Sequence, residues 1–291
     1  MYNKFIKNGN MTYSIDKIRL KTYITYSTFS EIEFRFGTVW KNYVKKNYTT
    51  GRISNYKYNY DIEISDEKSF FFGYFHNTEK PSFWDTKRKY SFYIEFNPNK
   101  IKDNKVLMYL LSISADWYIR SYDLAVDIET SILNLIVDKS GKRLLHTISG
   151  GGDNLTYMSG KGDGRFKIYN KKKESNLQMM GELTRIEVSR LIEEYSILDI
   201  EKYKYDEVFP EIYLNNYMMT MEDYADKTTL AVLYAVQNGY PINDLTRRYQ
   251  ENIKKLFKGG YKIEFSSEIA KDILKETIYF YFKYNPRILW R

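Results

Sequence analysis

The stretch Tyr122 to Glu129 reads YDLAVDIE and alternates between apolar residues and acidic or small ones. Successive side chains of a β-strand point to opposite faces of the sheet. One face therefore receives Tyr122, Leu124, Val126 and Ile128. The other face receives Asp123, Ala125, Asp127 and Glu129. Three carboxylates on one side of a strand repel one another unless cations lie among them, so these acids are candidate metal ligands.

The spacing of these acids limits which of them can share an ion. At about 3.3 Å per residue, Asp127 and Glu129 are within reach of one ion, whereas Asp123 is about 13 Å from Asp127. Some of the three acids therefore need a different role. The alternative interpretation is a solvent-facing edge strand that carries ordinary surface acids.

Two later segments repeat the alternation. Leu183 to Arg190 reads LTRIEVSR and places Arg185 and Glu187 on its polar face. Arg165 to Tyr169 reads RFKIY, and its polar face carries Arg165, Lys167 and Tyr169. Paired in one sheet, the three strands would offer an apolar face to helices and a polar face to ligands. Asp and Glu oxygens on that face suit Mg²⁺ or Mn²⁺ better than zinc.

A glycine-dense stretch, GGGDNLTYMSGKGDG, covers Gly150 to Gly164 and contains Tyr157. Glycines permit tight turns and a close approach of the backbone to a ligand. The stretch has neither the phosphate-binding P-loop pattern nor a helix directly after the glycines, which a dinucleotide site requires. It predicts a hairpin.

Composition narrows the functional classes. The 291 residues include no cysteine and two histidines, His76 and His146, which excludes thiolate metal sites, disulfides and paired-histidine clamps. The net charge of +8 favours a polyanionic partner. The 30 tyrosines fit the composition bias of an A+T-rich genome, but tyrosines among lysines also suit single-stranded nucleic acid. Apolar runs are far shorter than the roughly 20 residues that span a bilayer, so we expect a cytoplasmic protein without a membrane segment.

The pattern along the chain predicts an α+β fold with an antiparallel or mixed sheet and helices at the carboxy terminus. A sheet-based domain is expected over residues 1–215 and a helical region over residues 216–291. Similar texture in Tyr13 to Thr25 and Ile119 to Ser131 suggests an internal duplication. The predicted helices are Ile101 to Ser114, Leu191 to Tyr203, Met221 to Asn238, Asp244 to Lys258, and Glu268 to Phe282 with Ser266 or Ser267 as its N-cap.

A series of motifs carries a resemblance to a known family. The motifs are R-x-x-D-hydrophobic-A-x-D at Arg120 to Asp127, Tyr-hydrophobic-x-Gly at Tyr157 to Gly160, R-F-K-I-Y-N-K-x-x-E at Arg165 to Glu174, and T-R-I-E at Thr184 to Glu187. Their order and spacing are similar to those of plasmid rolling-circle replication initiators of the trans-acting Rep family. Relaxases of some integrative conjugative elements share the pattern, and I-D-K-I-R-L at Ile15 to Leu20 resembles the opening strand of these proteins.

The resemblance implies a metal-dependent, site-specific DNA nickase in which a tyrosine becomes joined to the 5′ phosphate and a free 3′ hydroxyl primes synthesis. It makes Tyr157 the first candidate nucleophile and Tyr169 the second. The implied ligands of Mg²⁺ or Mn²⁺ are Asp127 and Glu187, with Asp123 third. The implied DNA contacts are Arg165, Lys167, Lys171, Lys172, Lys173 and Arg185. The paired histidines of better-known enzymes of this type are missing, and His146 is either a single nitrogen ligand or a structural residue.

The implied partners are origin DNA, as a hairpin or a single-stranded nick site, together with a host helicase and a second copy in a homodimer. A conjugative relaxase with the same chemistry is one alternative. A non-catalytic DNA-binding or phage protein, whose acids merely decorate the surface, is the other. The basic amphipathic helix at Asp244 to Lys258 fits either docking on duplex DNA or packing on the protein surface.

Overall fold

The computed structural model describes most of the chain, with gaps. The described residues are 6–8, 11–47, 55–65, 68–80, 85–132, 135–138, 144–148, 155–159, 164–174, 181–205, 209–214, 227–228, 231–232, 235, 240, 244–258 and 261–288. Within them, no helix is both long and apolar enough to cross a membrane.

Strands dominate the described residues. In chain order they are β1 (Ile6–Asn8), β2 (Met11–Thr25), β3 (Val44–Asn47), β4 (Tyr56–Ser65), β5 (Lys68–His76), β6 (Lys89–Phe96), β7 (Tyr118–Ile128), β8 (Leu135–Asp138), β9 (Leu144–Ile148), β10 (Leu155–Ser159), β11 (Arg165–Asn170), β12 (Thr184–Ser196), β13 (Glu211–Leu214) and β14 (Tyr261–Lys262). Eleven of them form one large sheet, and β14, β13 and β8 form a small one. Every described pairing is antiparallel.

The helices are fewer. They are α1 (Tyr26–Gly37), α2 (Lys105–Ser112), α3 (Lys171–Glu174), α4 (Arg247–Lys258) and α5 (Ser267–Phe282), with a 3-10 helix at Ile197–Lys202. The N-cap of α2 is Asn104, whose side chain accepts hydrogen bonds from the amides of Val106 and Leu107. The α+β prediction with helices at the carboxy terminus is confirmed.

The large sheet repeats one strand order on both sides of its centre. Its order is β3-β4-β5-β6-β2-β7-β12-β11-β10-β9, with β1 added to β2 off this path. Moving outward from β2, the next strands are β6, β5, β4 and β3; moving outward from β7, they are β12, β11, β10 and β9. In each half the strand that comes first in the chain is central. The other four strands of that half follow it toward the sheet edge in reverse chain order. The topology therefore has the internal duplication that the sequence suggested.

One face of this sheet forms the core. Cross-strand neighbours such as Tyr13, Val126, Ile186 and Ile168 follow one another across β2, β7, β12 and β11, and each is fully buried. Apolar residues of α1, α2 and α5 belong to the same hydrophobic cluster, so these helices cover that face. Side chains of the opposite parity, including Asp127 and Glu187, lie on the other face. We call this second surface the polar face.

One of the helix predictions differs from the structure. Leu191 to Tyr203 was expected to be helical, but Leu191 to Ser196 continues β12 and only Ile197–Lys202 is helical, as a 3-10 turn. Pairing with β7 takes precedence over the local periodicity there. Most of the helix predicted at Met221 to Asn238 lies outside the described residues, as does the expected boundary at residue 215.

Candidate functional site

The three strands singled out by their alternation lie side by side. β7, β12 and β11 are consecutive neighbours near the middle of the sheet. The register pairs Asp127 with Arg185, and Arg185 with Tyr169, so these three residues form one row across the polar face. The next row contains Glu187 and Lys167. The alternative interpretation of β7 as an edge strand is wrong, because β2 and β12 pair with its two sides.

Arg185 is the centre of the first row. Its Nε and Nη2 each donate a hydrogen bond of 2.6 Å to Asp127, one to each carboxylate oxygen. Its Nη1 donates to Asp16 Oδ1 at 3.1 Å. Burial alone would lower the pKa of Arg185, but the hydrogen bond and charge of Asp127 raise it above its usual value. This planar, two-point contact is the strong form of ion pair, and it fixes both partners.

Tyr169 and Glu187 form a hydrogen-bonded pair on the polar face. The Tyr169 hydroxyl donates a short hydrogen bond to Glu187 Oε1. Burial is the main influence on Glu187 and raises the pKa of its carboxyl; the hydrogen bond from Tyr169 opposes this, and the nearby charge of Asp16 adds to it. A carboxylate with a raised pKa that already accepts the proton of a phenol is arranged as a general base.

Cations surround the tyrosine ring. The Lys167 ammonium lies 4.0 Å from the centre of the Tyr169 ring, and the Lys171 ammonium lies 5.8 Å from it. Arg165, two residues before Lys167, is exposed. Lys172 donates to the backbone oxygen of Gly181 at 3.0 Å. Of the predicted DNA contacts, these four are close to Tyr169 in the chain, whereas the side chain of Lys173 lies outside the described residues.

Asp123 belongs to a separate cluster. Arg19 donates from Nη1 and Nη2 to the two oxygens of Asp123, both at 3.2 Å. The Nε of Arg19 donates to Glu95 at 2.9 Å, and the Tyr93 hydroxyl donates to the same Glu95 oxygen at 3.2 Å. Asp123 is therefore engaged by β2 and is not part of the cluster around Arg185.

The three predicted metal ligands do not come together around one point. Among the described residues, no group of three or more His, Asp or Glu side chains is placed to hold a metal ion. Asp127 and Asp123 are each bound at both oxygens by an arginine, and Glu187 accepts from Tyr169. As these side chains stand, they do not fit a divalent ion. Mg²⁺ or Mn²⁺ at this face stays a prediction.

Tyr157, the first candidate nucleophile, lies in β10, where the register pairs it with Ile168 and with His146. Its neighbour Thr156 pairs with Tyr169. The side chains of Tyr157 and His146 lie outside the described residues, so their predicted roles stay predictions. Tyr169 is the candidate nucleophile whose contacts the structure describes.

Asp16 is a member of the cluster that the sequence analysis did not select. The register between β2 and β7 shifts between Ile15 and Lys17, so Asp16 stands at an irregularity of the strand. Besides Arg185, it accepts a hydrogen bond of 3.2 Å from Asn97 Nδ2. Strand irregularities often re-aim a side chain next to an active site. The residue lies in the I-D-K-I-R-L motif, but a bulge cannot be read from that motif.

Together the fold and the cluster define an α+β protein with a tyrosine–carboxylate pair among cations on one face of an antiparallel sheet. No family model matches the chain. No curated protein matches it either. Three solved chains do. One of them is described as a rolling-circle replication initiator protein from Geobacillus stearothermophilus. Its sequence is 12% identical to this chain and the TM-score is 0.39. The match covers 85% of this chain and 97% of that chain.

Proposed function

We propose that this protein is a DNA strand-nicking and strand-joining enzyme that initiates rolling-circle replication of a plasmid or mobile element. The observation that carries the proposal is the Tyr169 hydroxyl donating to Glu187, a half-buried carboxylate with a raised pKa. A phenol has a pKa near 10 and needs a base to attack at neutral pH. The motif series and the net charge of +8 support DNA as the substrate.

The chemistry is a transesterification. The Tyr169 proton passes to Glu187 while the phenolic oxygen bonds to the phosphorus of the scissile phosphodiester. The bond between phosphorus and the 3′ oxygen breaks, and that oxygen takes up a proton from water and leaves as a free 3′ hydroxyl. The 5′ phosphate stays on the tyrosine, so the reverse reaction rejoins the strand.

Lys167, Lys171 and Arg165 provide the positive charge for this reaction. Tyr169 is 5% exposed, and the two lysine ammonium groups lie against its ring. An arriving phosphate draws these ammonium groups toward itself and uncovers the ring. The same cations then stabilise the charge that develops on the phosphate oxygens.

Arg185 positions the pair, because it lies beside Tyr169 in the same row and two residues before Glu187 in β12. It is 7% exposed and bound to Asp127 and Asp16, so its charge is largely neutralised inside the protein. In this proposal Arg185 orders the polar face between β7 and β11 and does not contact the phosphate directly. That is a narrower role than the DNA contact expected from the sequence.

The test is covalent adduct formation on single-stranded oligonucleotides tiled across the gene and its flanks, with Mn²⁺, Mg²⁺ or EDTA, followed by denaturing gels. We expect an adduct that Tyr169→Phe abolishes, and a rate that falls by about 10²- to 10⁴-fold in Glu187→Gln with DNA binding retained. Tyr284→Phe, at a tyrosine that is 75% exposed, is the control. The metal arms test the predicted ion separately.

Three outcomes would change the proposal. An adduct that survives Tyr169→Phe and is lost in Tyr157→Phe moves the nucleophile to β10. No adduct on any tile, with salt-sensitive DNA binding, favours the non-catalytic DNA-binding protein. An adduct only at the transfer origin of a conjugative element favours the relaxase. The helicase and the homodimer stay predictions.

A further inference from the structure

Glu194 stands in an unusual backbone conformation at a bulge of β12. The β12–β7 register passes from Leu191 opposite Ser121 to Tyr195 opposite Ile119, so three residues of β12 oppose Arg120 alone. Glu194 has a φ of +45°, in the left-handed region that residues other than glycine rarely adopt. Such conformations persist only where surrounding contacts hold them, and they cluster at functional sites.

The bulge turns the Glu194 carboxylate onto two cations from two other strands. Lys21 of β2 donates to Glu194 Oε1 at 2.7 Å, and Arg120 of β7 donates to the same oxygen at 2.9 Å. The hydrogen bond from Lys21 is the main cause of a lowered Glu194 pKa. Two cations that converge on one anionic oxygen present the arrangement that a phosphate oxygen needs.

This cluster is open to solvent. The side chain of Arg120 is 46% exposed and that of Glu194 is 36% exposed, whereas Lys21 is 15% exposed. Exposed ion pairs of this kind contribute little stability, because water screens them. An anion from solution can therefore compete with Glu194 for Lys21 and Arg120.

An aromatic ring lies beside the cations. The Lys21 ammonium is 4.7 Å from the centre of the Tyr23 ring, and Tyr23 is 36% exposed. A ring next to phosphate-binding cations is the combination that single-stranded nucleic acids use, since a base stacks on the ring while the backbone meets the charges. This favours DNA over a free anion as the ligand.

The cluster and the Tyr169–Glu187 pair lie along the same strand. Opposite them on β7, Ala125 and Arg120 are five residues apart, which corresponds to about 17 Å. Lys21 lies two residues after Arg19 in β2, and residues two apart in a strand share a face. Lys21 therefore belongs to the polar face, like Arg19. A single strand bound at Tyr169 can continue along this face to Lys21.

We propose that Lys21 and Arg120 form a second phosphate site for the DNA strand, and that Glu194 occupies this site in the free protein and yields it when DNA binds. The inference rests on the proposed function for the identity of the ligand. The inference adds a competitor within the protein. The Glu194 carboxylate keeps Lys21 and Arg120 ordered, and it lowers the affinity for DNA strands that are too short to displace it.

The test is equilibrium binding of a fluorescent 20-nucleotide oligo(dT) by anisotropy in EDTA, over a series of salt concentrations. Glu194→Gln keeps the shape and removes the competing charge, so we expect about three- to tenfold tighter binding. Arg120→Gln and Lys21→Gln each weaken binding and reduce the slope of log affinity against log salt by about one. Lys202→Gln, which removes a lysine paired with Asp199 at 2.7 Å, is the matched control.

The outcomes separate this inference from the proposed function. Unchanged or weaker binding in Glu194→Gln overturns the competition between Glu194 and DNA. If Glu194→Gln folds poorly, Arg120→Gln still tests the phosphate site, because Arg120 is exposed. Unchanged binding and salt slope in Arg120→Gln overturns the phosphate site. If binding changes in these variants as expected and wild type forms no adduct, the second phosphate site is supported and only the proposed nicking activity is contradicted.

Discussion

Glu187 is placed where its ionisation opposes the stability of the fold. It lies half-buried on β12, between β7 and β11, where its carboxyl accepts a hydrogen bond from Tyr169 and is near the like charge of Asp16. Charging a buried carboxylate costs free energy that an exposed one does not pay.

The raised pKa gives a pH-dependent prediction. A carboxyl whose pKa is higher in the folded than in the unfolded protein stabilises the fold fully below the unfolded value, near 4.3, and loses that contribution as the pH rises through the folded value. Glu187→Gln mimics the protonated form. We therefore expect the variant and wild type to match near pH 4 and the variant to be more stable at pH 7, by urea unfolding.

The control is Glu251→Gln, the same charge change on the exposed face of α4, where Glu251 pairs with Arg247 four residues earlier. It should show no such gain in stability as the pH rises. A Glu187→Gln variant that is less stable than wild type at pH 7 would contradict the assignment of a raised pKa.

A second residue-scale prediction concerns the pair of Arg185 and Asp127. Their side chains are 9% and 14% exposed, so Asp127→Ala leaves a buried guanidinium with Asp16 as its remaining acidic partner. Removing one partner of a buried pair costs about 3 kcal/mol. Denaturant unfolding should show a loss of this order for Asp127→Ala, and a loss below about 1 kcal/mol for Glu251→Ala at the exposed pair. Equal losses would show that Arg185 is not dependent on Asp127.

At the scale of elements, α5 ties the end of the chain to the sheet. The backbone N–H of Ser266 donates to the Tyr13 hydroxyl at 3.0 Å, and Asn285, just after the helix, donates to the backbone oxygen of Leu111 at 3.0 Å. Ile278 and Phe282 are buried in the common core. The helix is therefore part of the same hydrophobic core as the sheet that carries the candidate site.

The cap of this helix gives an element-scale prediction. The sequence left Ser266 and Ser267 open as N-cap, and the structure selects Ser266, whose Oγ accepts from the amide of Ile269 at 3.2 Å. Ser266→Ala should cost about 1 kcal/mol of unfolding free energy, because a helix-end amide loses its partner. Ser267→Ala is the matched control and should cost clearly less. Thermal unfolding of both variants compares them, and equal costs would contradict the assignment.

The elements also show what the sequence can and cannot predict. Alternation in YDLAVDIE, LTRIEVSR and RFKIY identified β7, β12 and β11 and their faces, because the period of two is a local property. The helix prediction for Leu191 to Ser196 is wrong because the pairing partners of this segment in β7 are 70 to 78 residues away. Asp16 was missed for the same reason: its contact with Arg185 spans 169 residues and depends on a bulge.

At the scale of the whole molecule, the large sheet consists of two halves with the same strand order, joined through β2 and β7. The two halves differ in their polar clusters. In the first half, Glu95 accepts from the Tyr93 hydroxyl and also pairs with Arg19 and Lys17. In the second half, Glu187 accepts from Tyr169 and lacks such an arginine clamp among the described contacts. Burial raises the pKa of Glu187, whereas Arg19 and Lys17 outweigh burial and lower that of Glu95.

The pairing of β2 with β7 joins the two halves of the sheet within one chain. In a dimer of identical subunits, an edge-to-edge contact between two strands would join them in the same way. In a symmetric dimer every substitution is made twice, so neither copy can change alone. Because both halves here are encoded in tandem, a substitution alters one of them only. One half can then keep a half-buried carboxylate with a raised pKa, as at Glu187, while a glutamate of the other half is held by two cations, as at Glu95. Two identical subunits cannot diverge in this way.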